Sequence, residues 1–299
     1  MSIRAAGDRL AFPPGVVASV KAVACELPAQ LELPFSRFSI NEIREHVIEK
    51  KIVESIGTTT LWEWLHEDGI RPWTHRTWIF PRDPAFETKA VRVLDLYQRI
   101  WEGNPLGERD FVISADEKTS IQARQRIHAR TPPGPHRPSR VEHEYERMGA
   151  LAYMAALDVH RAQVFGCCEE TTGIEPFGKL VDQVMEQEPY RSADRVFWIV
   201  DNGSSHRGAA SCERLESAYP NTILVHTPVH ASWLNQIEIY FSILQRKVLT
   251  PNDFESLDQL RRMILAFQQR YSARATPFAW RFTRDHLHRL LNKLTAVAA

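Results

Sequence analysis

RVFWIVDNGSSHRG (residues 195–208) and ESAYPNTILVHTPVHASWLNQIEIYFSILQRKVL (residues 216–249) decide the fold. The apolar run Val196–Val200 has the length and composition of a buried strand, and it stops at Asp201. A second run, Thr222–Val225, follows a helical segment and leads through Pro228 into a helix carrying Glu238. Open α/β sheets place their functional groups at the carboxyl edge of the strands. An aspartate at a strand end and a glutamate on the next helix can therefore converge on one point.

Upstream, Asp110–Ala115 reads as a strand that also ends in acid, Asp116-Glu117-Lys118, and Ile121–Arg130 reads as further extended chain. Residues 131–138 (TPPGPHRP) carry four prolines, which fix φ and remove donors, so this stretch reads as an exposed basic loop beside the first acid. Gly149–Val159 and Ala162–Cys168 form a hairpin, followed by helices over Pro176–Met185 and Arg207–Tyr219 around the Asp201 strand. The order β, hairpin, α, β, α, β, α predicts an α/β fold: a mixed sheet flanked by helices. Residues 253–294 read as helical with a break at Ala275–Pro277.

The N-terminal part has a different pattern. Phe12–Leu27 has helical spacing behind two prolines, and Phe38–Val53 opens with Ser39 and Glu42 as a capping box. Gly57 then introduces Thr58, Thr59 and Thr60 ahead of a third helix, Leu61–Glu67, giving a helix-turn-helix outline. These threonines, with Arg71 and Arg76 in a short wing over residues 71–78, are candidates to face DNA. The alternative is an all-α bundle used for packing or dimerisation. Ala85–Trp101 reads as an amphipathic connector. The expected divisions are a winged helix-turn-helix domain at 1–80, a helical linker at 81–108, an α/β core at 109–252 and a helical C-terminal segment at 253–299.

Composition narrows the function classes. Basic and acidic residues are equal at 37 each, which counts against nucleic-acid binding by the chain as a whole and shifts attention to local patches. Residues 121–140 hold five arginines, Arg124 and Arg126 among them, and no acid; Arg246 and Lys247 lie in a basic C-terminal segment, residues 239–299. The four cysteines form no CxxC, so a zinc site is not expected. No apolar run reaches 18 residues and no signal-peptide layout opens the chain, so the expectation is a cytoplasmic protein with no membrane partner.

Three acids flank core elements: Asp116, Asp201 and Glu238. Carboxylates in such a set suit Mg²⁺, and paired ions suit in-line phosphodiester displacement. Each acid also has a plainer reading: Asp201 opening a turn with Asn202-Gly203, Glu238 completing a capping box with Asn235, Asp116 in an ion pair with Lys118. Asp158, at the hairpin, reads as a turn residue.

SADEKTSIQA (114–123), VDNGSSHRG (200–208) and HTPVHASWLNQIEIYFSILQRKVL (226–249) resemble the D-D-E transposases of bacterial insertion sequences in the mariner-like superfamily. Thirty-six residues separate Asp201 from Glu238, a spacing similar to that family's. Leu10–Tyr97 is similar to its winged helix-turn-helix and linker, and Pro277–Thr283 to a C-terminal element. The resemblance implies a ribonuclease H-like core and metal-dependent cleavage and strand transfer, with Mg²⁺ or Mn²⁺, as two ions, held by Asp116, Asp201 and Glu238. It implies double-stranded DNA as partner: terminal inverted repeats and a target, often at TA. It also implies a homodimer on DNA. His206, His230, Trp233 and Asn235 match motif positions that contact DNA or shape the site. Members usually carry another helix-turn-helix ahead of the part seen here, so the expectation is an N-terminally shortened copy that binds its ends poorly. The competing functions are a catalytically silent repressor and a ribonuclease H-like nuclease.

Overall fold

The structure is a computed structural model that describes residues 12–75, 81, 83–201 and 209–298, the side chains of 209–212 and 295–298 excepted. The chain divides into two compact units, residues 1–79 and 80–299.

The first unit is helical. α1 (Pro14–Cys25) starts on a proline, whose missing N–H would have had no partner in a first turn. α2 (Ile40–Glu49) is closed by its capping box: Ser39 Oγ accepts from Glu42 N–H at 3.3 Å and Glu42 Oε2 accepts from Ser39 N–H at 2.6 Å. α3 (Thr58–Glu67) begins at the first threonine, three residues earlier than the apolar spacing suggests, because Gly57 already turns the chain. Val20, Phe38, Ile43, Val47, Leu61 and Leu65 are the buried centre that holds the three helices together. Among the described residues this unit has no strand, and residues 71–75 form a turn; Arg76 and the rest of the expected wing lie outside the described residues.

The second unit opens with α4 (Phe86–Tyr97) and a short antiparallel pair, β1 (Ile100–Trp101) and β2 (Asn104–Pro105). Then come β3 (Asp110–Gln125), β4 (Glu146–Asp158), β5 (Gln163–Glu169), α5 (Ile174–Met185), β6 (Arg195–Val200), α6 (Ala209–Ala218) and β7 (Thr222–His226). A 3-10 turn at Ser232–Leu234 leads into α7 (Ile237–Lys247), followed by α8 (Leu257–Ser272) and α9 (Arg284–Ala298). The sheet order is β5-β4-β3-β6-β7, antiparallel across β5-β4-β3 and parallel across β3-β6-β7. It is the mixed sheet that the element order predicts.

Strand alternation sorts the side chains into two apolar layers. Ile113, Met154, Val196, Trp198 and Val200 pack under α5 through Phe177, Leu180 and Val184. On the other face Val112, Phe197 and Ile199 meet α4, while Tyr153, Ala155 and Leu157 meet α7 and α8.

Two expectations need correction. β3 does not end at its acids but runs on to Gln125, because β4 continues to pair with it after β6 has stopped: β6 reaches only Ser114, whereas β4 pairs Asp116 with Ala155 and Lys118 with Tyr153. The stretch read as a connector forms a helix only over Phe86–Tyr97, and that helix buries Phe86, Ala90, Val93, Leu94 and Leu96 as part of the second unit's core. Among the described residues no helix is long and apolar enough to cross a membrane.

Candidate active site

Ser114 is the point from which the site can be built. In β3 it pairs with Ile199 of β6, so Asp201, two residues beyond Ile199, emerges at the edge where β6 ends. Asp116 lies two residues beyond Ser114 and, by strand alternation, on the same face. The start of α7 is docked there too. Asn235 shares a short hydrogen bond with Ser114 through Oδ1, and its Nδ2 donates to Ala115 C=O at 2.9 Å. Ile237 N–H donates to Ser114 Oγ at 3.0 Å, which leaves Glu238 one residue away on the first turn of the helix. One buried serine thus ties together the three elements that carry the acids.

The carboxylates respond to one another. Burial drives Asp116, 8% exposed, up to a pKa of about 7, with Asp201, Glu117 and Glu238 adding to the rise and the hydrogen bond from Glu117 N–H to Asp116 Oδ1 (2.8 Å) opposing it. Burial also raises Glu238, with Asp201 adding to the rise and Lys118 opposing it. Among the described residues no three such side chains stand within ligating distance of one point. Like charges in a half-buried site hold apart, and an all-oxygen donor set of this kind suits a hard divalent cation such as Mg²⁺ or Mn²⁺. Asp116, Asp201 and Glu238 are the side chains that could hold one.

The remaining candidates fall into distinct environments. His230 is exposed at a left-handed backbone position (φ 62°), and Trp233 is 39% exposed with its ring edge-on to Phe282 at 5.2 Å. Asn235 is 1% exposed, so its amide faces protein rather than ligand. It does not cap α7, which starts after Gln236 without a side-chain cap. Arg246 and Lys247 are exposed in the last turn of α7, about 12 Å along the helix from Glu238. In the first unit, Thr58, Thr59 and Arg71 are exposed and Thr60 is half-buried. His206, like Arg76, lies outside the described residues.

Arg124 and Arg126, read as DNA contacts, are engaged within the protein. Arg126 donates through Nη1 to the carbonyls of Glu142 and His143, both at 2.7 Å, and through Nε to that of Asn252 at 3.2 Å. Arg124 reaches Gln122 Oε1, and both guanidinium groups lie over the Tyr145 ring. They pin the base of the long excursion between β3 and β4. Asp158 is buried in a turn: Oδ1 accepts from His160 and Arg161 N–H, and Oδ2 from Tyr190 O–H at 2.8 Å.

Three residues that matter to the geometry were not among the sequence candidates. Ser114 could have been flagged as a hydroxyl inside a buried apolar run, where it needs a partner. Lys118 shares the Asp116 strand and acts on Glu238 electrostatically. Tyr97 carried no such signal, since it reads as one more apolar position of its helix; its O–H donates to Leu234 C=O at 2.6 Å and accepts from Gln236 N–H at 3.3 Å.

A family model described as DDE superfamily endonuclease matches residues 112–261, from the first strand of the sheet into α8. No curated protein matches the chain. Among solved structures, a pre-cleavage Mos1 transpososome is similar at 13% identity and a TM-score of 0.56, over 97% of this chain and 82% of that one. The Mos1 mariner paired end complex with Mn is similar at 15% identity and a TM-score of 0.53 (98% and 81% covered), and the Mos1 strand transfer complex at 14% and 0.53 (97% and 79% covered). At these identities the likeness is one of fold, and the second unit has the ribonuclease H-like architecture of those catalytic domains.

Proposed function

The chain belongs to the DDE superfamily of endonucleases, and from that premise we propose that it is a DNA transposase whose acid triad is Asp116, Asp201 and Glu238. What supports the reading is that the three elements carrying these acids meet at Ser114, and that Asp201 and Glu238 act on the charge of Asp116. Similar folds have been solved as Mos1 paired end complexes, one with the left transposon end and others with Mn or Mg, and as a Mos1 strand transfer complex.

Mg²⁺ or Mn²⁺, when bound by the triad, supplies positive charge at the phosphodiester and makes the attacking oxygen easier to ionise. The protein's part is to hold the ligands still. Asp116 comes from the middle of a strand paired on its β4 side, so its backbone is fixed by the ladder. Glu238 comes from a helix start whose approach to β3 is set by Asn235 and Ser114. Lys118 adds a cation to the charge balance of the site, and Arg246 and Lys247, exposed in the last turn of α7, are further cations for the DNA backbone. His230 and Trp233, exposed on the loop before Glu238, are within the DNA-facing rim.

The first unit is the end-binding module in this reading, with α3 as recognition helix. Its N-terminus presents Thr58, Thr59 and unpaired backbone N–H groups suited to phosphate and base edges. Two copies of the chain hold the two inverted repeats of one element, and joining occurs at a TA target.

The test is strand cleavage of a duplex carrying the element's own terminus, with Mg²⁺, Mn²⁺ or EDTA, for wild type beside Asp201→Asn. Metal-dependent nicking at the element end, lost in the variant, is the expected result. Tight binding with no nicking under any metal would instead make the chain a silent DNA-binding protein.

A further inference from the structure

We propose that Tyr97 is a positioning residue for the third carboxylate: its phenol fixes the turn that presents Glu238 and thereby sets the metal affinity of the site. This rests on the assignment of Glu238 as a metal ligand.

An α-helix leaves its first N–H groups without intrahelical partners, and a Ser, Thr, Asp or Asn at the N-cap normally supplies one. α7 has Gln236 at that position and no side-chain cap. Its start is instead held from two other elements. Tyr97 of α4 accepts from Gln236 N–H at 3.3 Å and donates to Leu234 C=O at 2.6 Å. Ser114 of β3 accepts from Ile237 N–H at 3.0 Å. Leu234, Asn235, Gln236 and Ile237 are all between 0% and 1% exposed, so water cannot replace either anchor.

Successive residues of a helix are rotated by about 100°, so the direction of Glu238 depends on how this first turn is seated. Removing the phenolic oxygen would leave a buried N–H and a buried C=O with one partner fewer, and the turn would shift to recover them. Tyr97 is itself braced. Its ring stands edge-on to Trp280 at 5.2 Å, and Trp280 Nε1 donates to Phe282 C=O at 2.8 Å. Through this stack the segment between α8 and α9 reaches the carboxylate site without touching it. Burial holds the phenol well above its usual pKa, so it remains a donor at every working pH.

The plain alternative is a buried tyrosine that contributes only stability. The two differ in metal binding. The full-length chain is compared as wild type, Tyr97→Phe, Glu238→Gln and Val93→Ala, the last a buried α4 residue one turn before Tyr97 whose side chain makes no hydrogen bond. Mn²⁺ affinity is measured by calorimetry without DNA, the melting temperature in EDTA, and nicking as a function of Mn²⁺. Loss of a group hydrogen-bonded to a metal ligand typically weakens metal binding 10- to 100-fold, and Tyr97 acts one step further out, through the backbone of Leu234 and Gln236. Tyr97→Phe is expected to weaken Mn²⁺ binding about tenfold and to shift the Mn²⁺ dependence of nicking equally, while Val93→Ala lowers the melting temperature and leaves affinity unchanged. Wild-type affinity in Tyr97→Phe beside weakened binding in Glu238→Gln overturns the proposal alone. Wild-type affinity in Glu238→Gln overturns the site assignment and the proposal with it. If Tyr97→Phe does not accumulate folded, Ser114→Ala removes the second anchor of the same turn, and unchanged Mn²⁺ affinity there overturns the proposal.

Discussion

Asn235 is joined to Ser114 by a short buried hydrogen bond that links the start of a helix to the middle of a strand 121 residues away in the chain. Both residues are at most 1% exposed, and Asn235 also donates to Ala115 C=O. An amide placed this way makes two bonds that no apolar residue can replace. Asn235→Ala leaves the Ser114 hydroxyl and the Ala115 carbonyl each one partner short. The expected cost is about 1–3 kcal/mol, read as a lower midpoint in urea unfolding with an unchanged m-value. Asn235→Asp should fare worse than its size suggests, since a carboxylate oxygen would then face the Ala115 carbonyl.

Asp110 and Arg195 give the sheet a pH-dependent staple. Arg195 donates to both carboxylate oxygens, at 3.0 and 2.6 Å, across the first β3–β6 pair, and Asp110 is 3% exposed. The guanidinium holds the Asp110 carboxyl below its usual range, with Gly107 N–H helping and burial opposing. A depressed pKa in the folded state means that the pair's stabilisation is present above the unfolded value, near 3.8, and is lost as pH falls through the lower folded value. Asp110→Asn should therefore melt below wild type at neutral pH and approach it in strong acid. A constant gap between the two across that range would count against the staple.

Much of this was legible from residue pattern, for definite reasons. The acids stand out because they end or interrupt apolar runs, and Val196–Val200 announced its strand by length and β-branched composition. Ser39 and Glu42 marked the start of α2 because a capping box is a local device. What stayed hidden was non-local. Asn235 and Glu238 look like a capping box in one dimension, yet Asn235 turns inward to β3 and the helix start is held by Tyr97 and Ser114 from two other elements. The length of β3 was hidden for the same reason: only pairing with β4 holds Asp116–Lys118 in the sheet, and that pairing resumes at Ile121 after an irregularity at Thr119 and Ser120. Arg124 and Arg126 read as DNA-binding or site-shaping candidates because residues 121–140 hold no acid, and carbonyls and an aromatic face leave no trace in a charge count.

The engagement of Arg126 has its own consequence. Its guanidinium spans Glu142, His143 and Asn252, closing the excursion that leaves β3 and returns to β4. Lysine offers one compact ammonium and cannot reproduce a fork to three carbonyls. Arg126→Lys should increase trypsin cleavage within residues 127–144 several-fold while the affinity for end DNA at fixed salt changes little. A loss of DNA affinity with unchanged proteolysis would return Arg126 to the DNA interface.

Asp116 sits in a site that works against its own charge. It is 8% exposed, with Asp201, Glu117 and Glu238 acting on it, and burial raises its pKa to about 7. Without a cation, an ionised carboxylate there destabilises the fold; with one, the same charge becomes the binding energy. Asp116→Asn should thus have opposite effects in two conditions. In EDTA at pH 8 the variant should melt above wild type, because a buried anion has been removed. In millimolar Mn²⁺ wild type should gain stability and the variant should not, so that the order reverses, and nicking should be lost. Thermal melts in the two buffers decide it. A variant that is less stable than wild type in EDTA, with its Mn²⁺ gain intact, would show that Asp116 is a structural residue and that the metal is held elsewhere.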